Sequence, residues 1–281
     1  MGGYGGGAGH AHSTAMVELP ARAAILDAID AAGRKRRRSF RVQFALVWLT
    51  ILAVIGWIYW STGNIDLEFI AEWGPFILQG APITVVVAAT SIVLAVVLAI
   101  VGALGRLSEH PIPFAVASFY VSLVRGTPLL IQILFVYLAL PQVGIILNPM
   151  LGGILALGFN YGAYMTEIFR AGIQAVPRGQ GEAAKALGMP EKLVFRRIIA
   201  PQALRVVTPA IGNEFIVMIK DSALISVVAV QELLWRAQTA GQRNFATLQT
   251  FLIAALVYWA LTIIFSYFQE RLERRMAKVD R

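Results

Sequence analysis

The sequence predicts an all-α, polytopic membrane protein with six transmembrane helices, and three observations carry the prediction. Of its 281 residues 58% are apolar and only 14% charged, whereas soluble domains are nearer half apolar and a quarter charged. The apolar residues gather into uncharged runs long enough to cross a bilayer. The basic residues, which give a net charge of +8, fall almost entirely between alternate runs. An ordinary soluble enzyme and a disordered chain are both excluded by that composition. The absence of cysteine removes disulfides, thiolate metal sites and thiol catalysis.

Residues 1–15 are Gly-rich without apolar periodicity and read as a flexible tail. His10 and His12 in that tail lack further ligands and make no metal site. Residues 20–33 read as a short amphipathic helix, with Pro20 suited to its first turn and Gly33 to its C-terminal cap. The run Arg34-Lys-Arg-Arg-Arg38, with Arg41, precedes the first uncharged stretch, residues 43–60. Those 18 residues just span a core of ~30 Å, and Trp57, Tyr59 and Trp60 sit where an aromatic belt belongs. A signal peptide is the competing reading, but no small-residue cleavage site follows.

Five further spans are expected over 82–104, 116–140, 145–166, 206–230 and 248–268. Placing the N-terminus inside puts 20 of the 24 Lys and Arg residues in the inside segments 1–42, 105–115, 167–205 and 269–281. The first outside segment is acidic instead, with Asp66, Glu68 and Glu72. By the positive-inside rule both termini are cytoplasmic. The basic excess thus reports topology, and no contiguous basic face for nucleic acid remains.

The inside segment 172–205 holds more than a connector. Glu182 to Leu187 are strong helix formers, Gly188 suits a left-handed cap, and Pro190 suits the start of a second short helix that Pro201 ends. Two short helices with apolar and basic faces, joined at a glycine, are built to dock into a groove on another protein. Polar side chains within the spans are the second set of candidates, because ionisable groups at membrane depth are costly unless paired or wet. Asp221 and Glu214 are candidate acceptors for a substrate ammonium; Lys220, Ser222 and Asn213 are candidate donors for a carboxylate; Gln132, Asn160 and Tyr161 complete the set. Asp221 reads equally as half of a structural pair, and Glu214 reads more readily as structural. Arg125 reads as a snorkelling end-of-span residue, and Glu167 with Arg170 as an i,i+3 ion pair.

The pattern Glu182-Ala183-Ala184, three residues, Gly188, nine residues, Ile198-x-x-Pro201 resembles the EAA signature of ABC importer permeases, with Ala200 where that pattern has Leu. The runs Gly80-x-x-x-Thr84, Arg125-Gly-Thr-Pro-Leu-Leu-x-Gln132, Glu167-Ile-Phe-Arg-Ala-Gly-Ile173, Asn213-Glu-Phe215 and Lys220-Asp-Ser-x-Leu224 resemble the polar amino acid branch of that family. The resemblance covers roughly residues 78–273. It implies a five-helix permease core, so that 1–42 is a cytoplasmic tail, 43–77 an added N-terminal span with its outer loop, and 274–281 a second tail. It also implies a place in a bacterial cytoplasmic membrane, a second permease subunit, identical or not, a pair of cytoplasmic ATPases carrying ATP and Mg, and a substrate-binding protein that delivers an amino acid. Glu182, Ala183, Ala184, Gly188, Ile198 and Pro201 would then couple the permease to the ATPases. No phosphate-binding loop of the G-x-x-x-x-G-K-[ST] type occurs in the chain, so no ATP site or other cofactor of its own is expected. A permease for another small solute is the alternative within this class. A secondary transporter is disfavoured by the docking segment and the lack of an internal repeat. An intramembrane enzyme is disfavoured because all three histidines lie outside the spans and no G-x-S-x-G occurs.

Overall fold

The computed structural model describes residues 9–61 and 66–276, with side chains from Arg36 onward. The chain divides into two units, 1–65 and 66–281.

The first unit is a single helix, α1 (Gly9–Ser61). It runs without a break through what the sequence reading divided into part of the tail, the short helix 20–33 and the first span 43–60. Gly33 does not cap a helix but is passed through. One internal glycine costs only about 1 kcal/mol, and the Ala, Leu, Lys and Arg around it are good helix formers. Residues 1–8 of the expected tail lie outside the described residues. From Arg36 to Ser61 the helix is long and apolar enough to cross a membrane, and its large side chains, Phe44, Leu49 and Trp57 among them, are exposed within the unit. A helix that is apolar all round is suited to hydrocarbon.

The second unit begins with a helix the sequence reading placed in an outer loop, α2 (Leu67–Leu78). Asp66 caps it: Oδ1 accepts from the backbone N–H of Glu68 at 2.9 Å and of Phe69 at 3.2 Å. The chain runs on into α3 (Gly80–Arg106), and together residues 67–106 pass as a membrane-spanning stretch, as does α11 (Thr247–Met276). The expected span 116–140 is not one helix. α4 (Pro111–Arg125) and α5 (Leu129–Leu134) meet at a bend of 104° over Gly126-Thr127-Pro128. Pro128 holds extended backbone (φ −62°, ψ 137°) just before α5, and the residue before a proline avoids the helical region.

α6 (Pro149–Gln174) is the central helix and packs along α3. Small residues let the two approach: a Cβ on Gly102 would lie 2.3 Å from Thr166 Oγ1, and one on Gly162 would lie 2.8 Å from Leu98 Cβ. Val87, Ala95, Leu157, Met165, Ile219 and Ile225 form the heart of the core. After α7 (Arg178–Ala186) come α8 (Glu191–Val194) and α9 (Ala200–Asp221), then a 3-10 segment, Ser222–Val228, and α10 (Leu233–Asn244).

Two π-turns share one cause. Phe135–Ala139 closes with the Leu140 N–H on the Phe135 carbonyl and is followed by Pro141; Phe195–Ile199 closes with the Ala200 N–H on the Phe195 carbonyl and is followed by Pro201. A proline in a helix lacks its N–H and collides with the carbonyl four residues back. Widening the preceding turn moves that carbonyl away. Pro201 therefore does not end the helix, as the sequence led us to expect. The backbone continues from Glu191 to Asp221 without a break.

α10 is sealed to α3 and α11 by Glu232, which is fully buried. Its Oε1 accepts from the Trp235 N–H at 2.8 Å, and its Oε2 accepts from Thr84 Oγ1 at 3.2 Å and from the Tyr258 hydroxyl. The Leu233 N–H donates in turn to Thr84 Oγ1 at 3.3 Å. Gly80 belongs to the same joint, since a Cβ there would lie 2.5 Å from Leu233 Cα.

Candidate functional site

Two places gather the residues singled out from the sequence. The first is the segment 177–201. α7 ends in a Schellman motif: Gly188 takes φ +77°, its N–H donates to the Lys185 carbonyl at 2.9 Å, and the Met189 N–H donates to the Ala184 carbonyl at 3.1 Å. Lys185 Nζ meets Glu191 Oε1 at 2.7 Å across the turn. This pair raises the Lys185 pKa and lowers that of Glu191, the hydrogen bond acting first and the charge attraction second. Both groups are fully exposed, so the pair adds little to stability. Ala184 and Val194 are buried beneath the turn. Leu187 projects from its tip at 84% exposure, while Glu182, Ala183 and Pro201 are exposed and Ile198 is half-buried. Glu182 caps nothing. It sits in the middle of α7, whose N-cap is Pro177 with no side-chain hydrogen bond.

The second place is a cavity of about 530 Å³ where the end of α4, the middle of α6 and the end of α9 converge. Arg125, Asn160, Tyr161, Tyr164, Glu214 and Asp221 line it. Tyr161 donates to Asp221 Oδ2 at 2.8 Å, and the Arg125 guanidinium lies 5.2 Å from the centre of the Tyr164 ring. Asn160 Nδ2 donates to Gln132 Oε1 at 3.2 Å. The Gln132 amide nitrogen in turn donates to the Val124 carbonyl at 2.8 Å and to Thr127 Oγ1 at 2.9 Å, which ties down the bend. Gln132 thus stands behind the wall.

Of the other polar candidates, Lys220 and Asn213 are exposed and do not line the cavity. Ser222 is buried, with its hydroxyl donating to the Ile219 carbonyl at 2.8 Å. Arg125, read from the sequence as snorkelling, belongs to the cavity. Its position beside Gly126-Thr-Pro128 was the signal that the chain turns inward there. Glu167 and Arg170 do pair, at 2.7 Å, and Arg106 joins them from α3 at 3.2 Å. Among the described residues no cluster of three His, Asp or Glu side chains could hold a metal ion.

Residues 91–278 match the family described as the inner membrane component of binding-protein-dependent transport systems. The chain belongs to that family. As a member it is a multi-pass membrane permease of the ABC class, which works with a binding protein and with separate subunits that hydrolyse ATP. Two curated relatives come from Bacillus subtilis (strain 168). The arginine transport system permease ArtQ is 36% identical over 218 residues, covering 77% of this chain and 100% of the relative. The L-cystine transport system permease TcyB is 38% identical over 213 residues, covering 75% and 90%. Among solved structures, one titled "Crystal structure of an amino acid ABC transporter with histidines" superposes with a TM-score of 0.72 at 36% identity, covering 75% of this permease and all but 1% of that chain. The methionine transporter MetNI in an inward-facing form shares the fold, with a TM-score of 0.56 at 14% identity.

Proposed function

We propose that this permease carries polar amino acids across a bacterial cytoplasmic membrane as one of two permease subunits, identical or not, of an ATP-driven importer. The chain would cross six times with both termini cytoplasmic, the first crossing being the end of α1. The broken helix α4–α5 would count as one crossing. Segment 172–205 then lies inside, where Glu182, Ala183, Ala184, Gly188, Ile198 and Pro201 would meet the ATPases that bind ATP and Mg. The domain bounds 1–42, 43–77, 78–273 and 274–281 follow from the same topology.

The observation that carries the substrate class is the cavity. It sets one guanidinium, Arg125, against two carboxylates, Asp221 and Glu214. A zwitterion needs donors for its carboxylate and acceptors for its ammonium, and both are present within one space of about 530 Å³. At membrane depth such charges persist only beside water, ligand or partner. Relatives named for arginine and cystine transport support the class without choosing a member.

The test is reconstitution of the permease with its ATPases and binding protein in liposomes, measuring ATP hydrolysis across a panel of amino acids. Stimulation by one or a few polar amino acids is the expected result. Stimulation by none would overturn the substrate class while leaving the family intact.

A further inference from the structure

Phe245, the residue that closes α10, carries two oddities at once. It takes the left-handed backbone conformation, φ 53°, to bring its N–H to the Gly241 carbonyl. Its ring is 97% exposed. A left-handed C-terminal cap favours glycine, then asparagine, because a Cβ crowds the following carbonyl. Phenylalanine brings that strain and gains no burial in return. Neither the backbone nor the packing of this chain accounts for it, and a strained residue that nothing local requires points to a use outside the chain.

The surroundings say what kind of use. Gln242, Arg243, Asn244 and Thr247, close to Phe245 in the chain, are exposed, with Leu248 three residues on as a second apolar side chain at 44% exposure. A small apolar knob inside a polar rim has the make-up of a protein-interface anchor. Hydrocarbon would leave the Arg243 guanidinium and the Gln242 amide unsatisfied, although the Asn244 amide already donates to the Ala240 carbonyl at 2.9 Å. On the topology proposed above, residues 231–247 lie outside, which is the side from which a binding protein delivers its cargo. We propose that Phe245, with Leu248 beside it, is the anchor on which the substrate-binding protein docks. This rests on the importer reading of the previous subsection.

The substitution that tests it is Phe245→Gly, which suits the left-handed cap and so keeps the fold while deleting the knob. The complex is reconstituted in liposomes with the binding protein that supports stimulation in the assay above, and that protein is titrated. The expected result is a rise of about tenfold in its half-saturating concentration, the size of a lost interface anchor. Hydrolysis without binding protein stays at the wild-type level, the melting temperature does not fall, and Phe245→Trp restores the titration. An unchanged half-saturating concentration in Phe245→Gly overturns the proposal. So does a basal rate that falls in step with the stimulated one, which would mark a role in lipid anchoring or folding. Wild-type complex that ignores every binding protein and amino acid overturns the importer reading and this proposal with it. A wild type that responds, beside a Phe245→Gly variant that responds equally, overturns this proposal alone.

Discussion

Glu232→Ala puts the joint between α10, α3 and α11 to the test. The carboxylate is fully buried and accepts three donors, the Trp235 N–H, the Thr84 hydroxyl and the Tyr258 hydroxyl. The two hydroxyls rotate and regain part of what they lose. The Trp235 N–H belongs to the first turn of α10 and has no other acceptor to turn to. Leaving it unpaired costs about 1–3 kcal/mol. The space left by the side chain and the partial loss at the hydroxyls bring the total to about 3–5 kcal/mol, at the top of the usual range for one substitution. For a chain of this size that is a fall of roughly 10 °C in melting temperature. Thermal unfolding of the detergent-solubilised complex measures it. Glu232→Gln retains one acceptor oxygen but turns an NH₂ group toward a donor, so an intermediate fall is expected. A Glu232→Ala variant that melts within about 2 °C of wild type would refute the claim that this network holds α10 in place.

Gly188→Asp is expected to abolish transport while leaving membrane insertion intact. A Cβ there meets nothing within 4 Å, so the damage falls on the left-handed turn and its docking rather than on packing; wild-type uptake would defeat the coupling role. Asp221→Asn keeps an acceptor for Tyr161 but removes a charge. If Asp221 receives a substrate ammonium, KM for uptake rises about tenfold or more; an unchanged KM would return Asp221 to a structural role. At Glu167 burial favours the neutral form, but the hydrogen bonds and charges of Arg170 and Arg106 outweigh it and hold the pKa below its ordinary value of 4.5. A carboxylate depressed on folding stabilises fully above that ordinary value, and the contribution is lost as pH falls through the depressed one. Glu167→Gln is therefore expected to be less stable than wild type at pH 7 by about 1–3 kcal/mol, and the gap should narrow as pH falls below the ordinary value of 4.5; a constant gap across that range would show that the carboxylate charge is not what stabilises.

The sequence made visible what depends on runs of residues. The apolar stretches 82–104 and 248–268 lie within α3 and α11, and the turn at Gly188 separates two helical segments as its residue types require. What stayed hidden depends on direction or on distant partners. Apolar residues continue on both sides of Gly126-Thr-Pro128, so hydropathy alone could not register a 104° bend. Polarity marked Lys220, Asp221 and Ser222 alike, yet neighbours on a helix point about 100° apart, and of the three only Asp221 faces the cavity. Glu232 drew no notice because its partners Thr84 and Tyr258 lie far along the chain. Gly33 looked like a stop, but a single glycine is a weak one between good helix formers.

The π-turn before Pro201 has a mechanical consequence. Val194 and Ala203, nine residues apart, would sit on opposite sides of a regular helix, yet both are buried. The wide turn absorbs one residue and swings their faces back toward each other. It does so without interrupting the helical run, which continues from Glu191 to Asp221 over about 45 Å, Pro209 included. One end adjoins the Gly188 turn, where Val194 is buried, and the other carries Glu214 and Asp221 into the cavity. Had the proline broken the helix, a swing at one end would be lost in a loose joint. On the importer reading proposed above, a continuous helix would carry a displacement from the Gly188 turn toward the cavity wall.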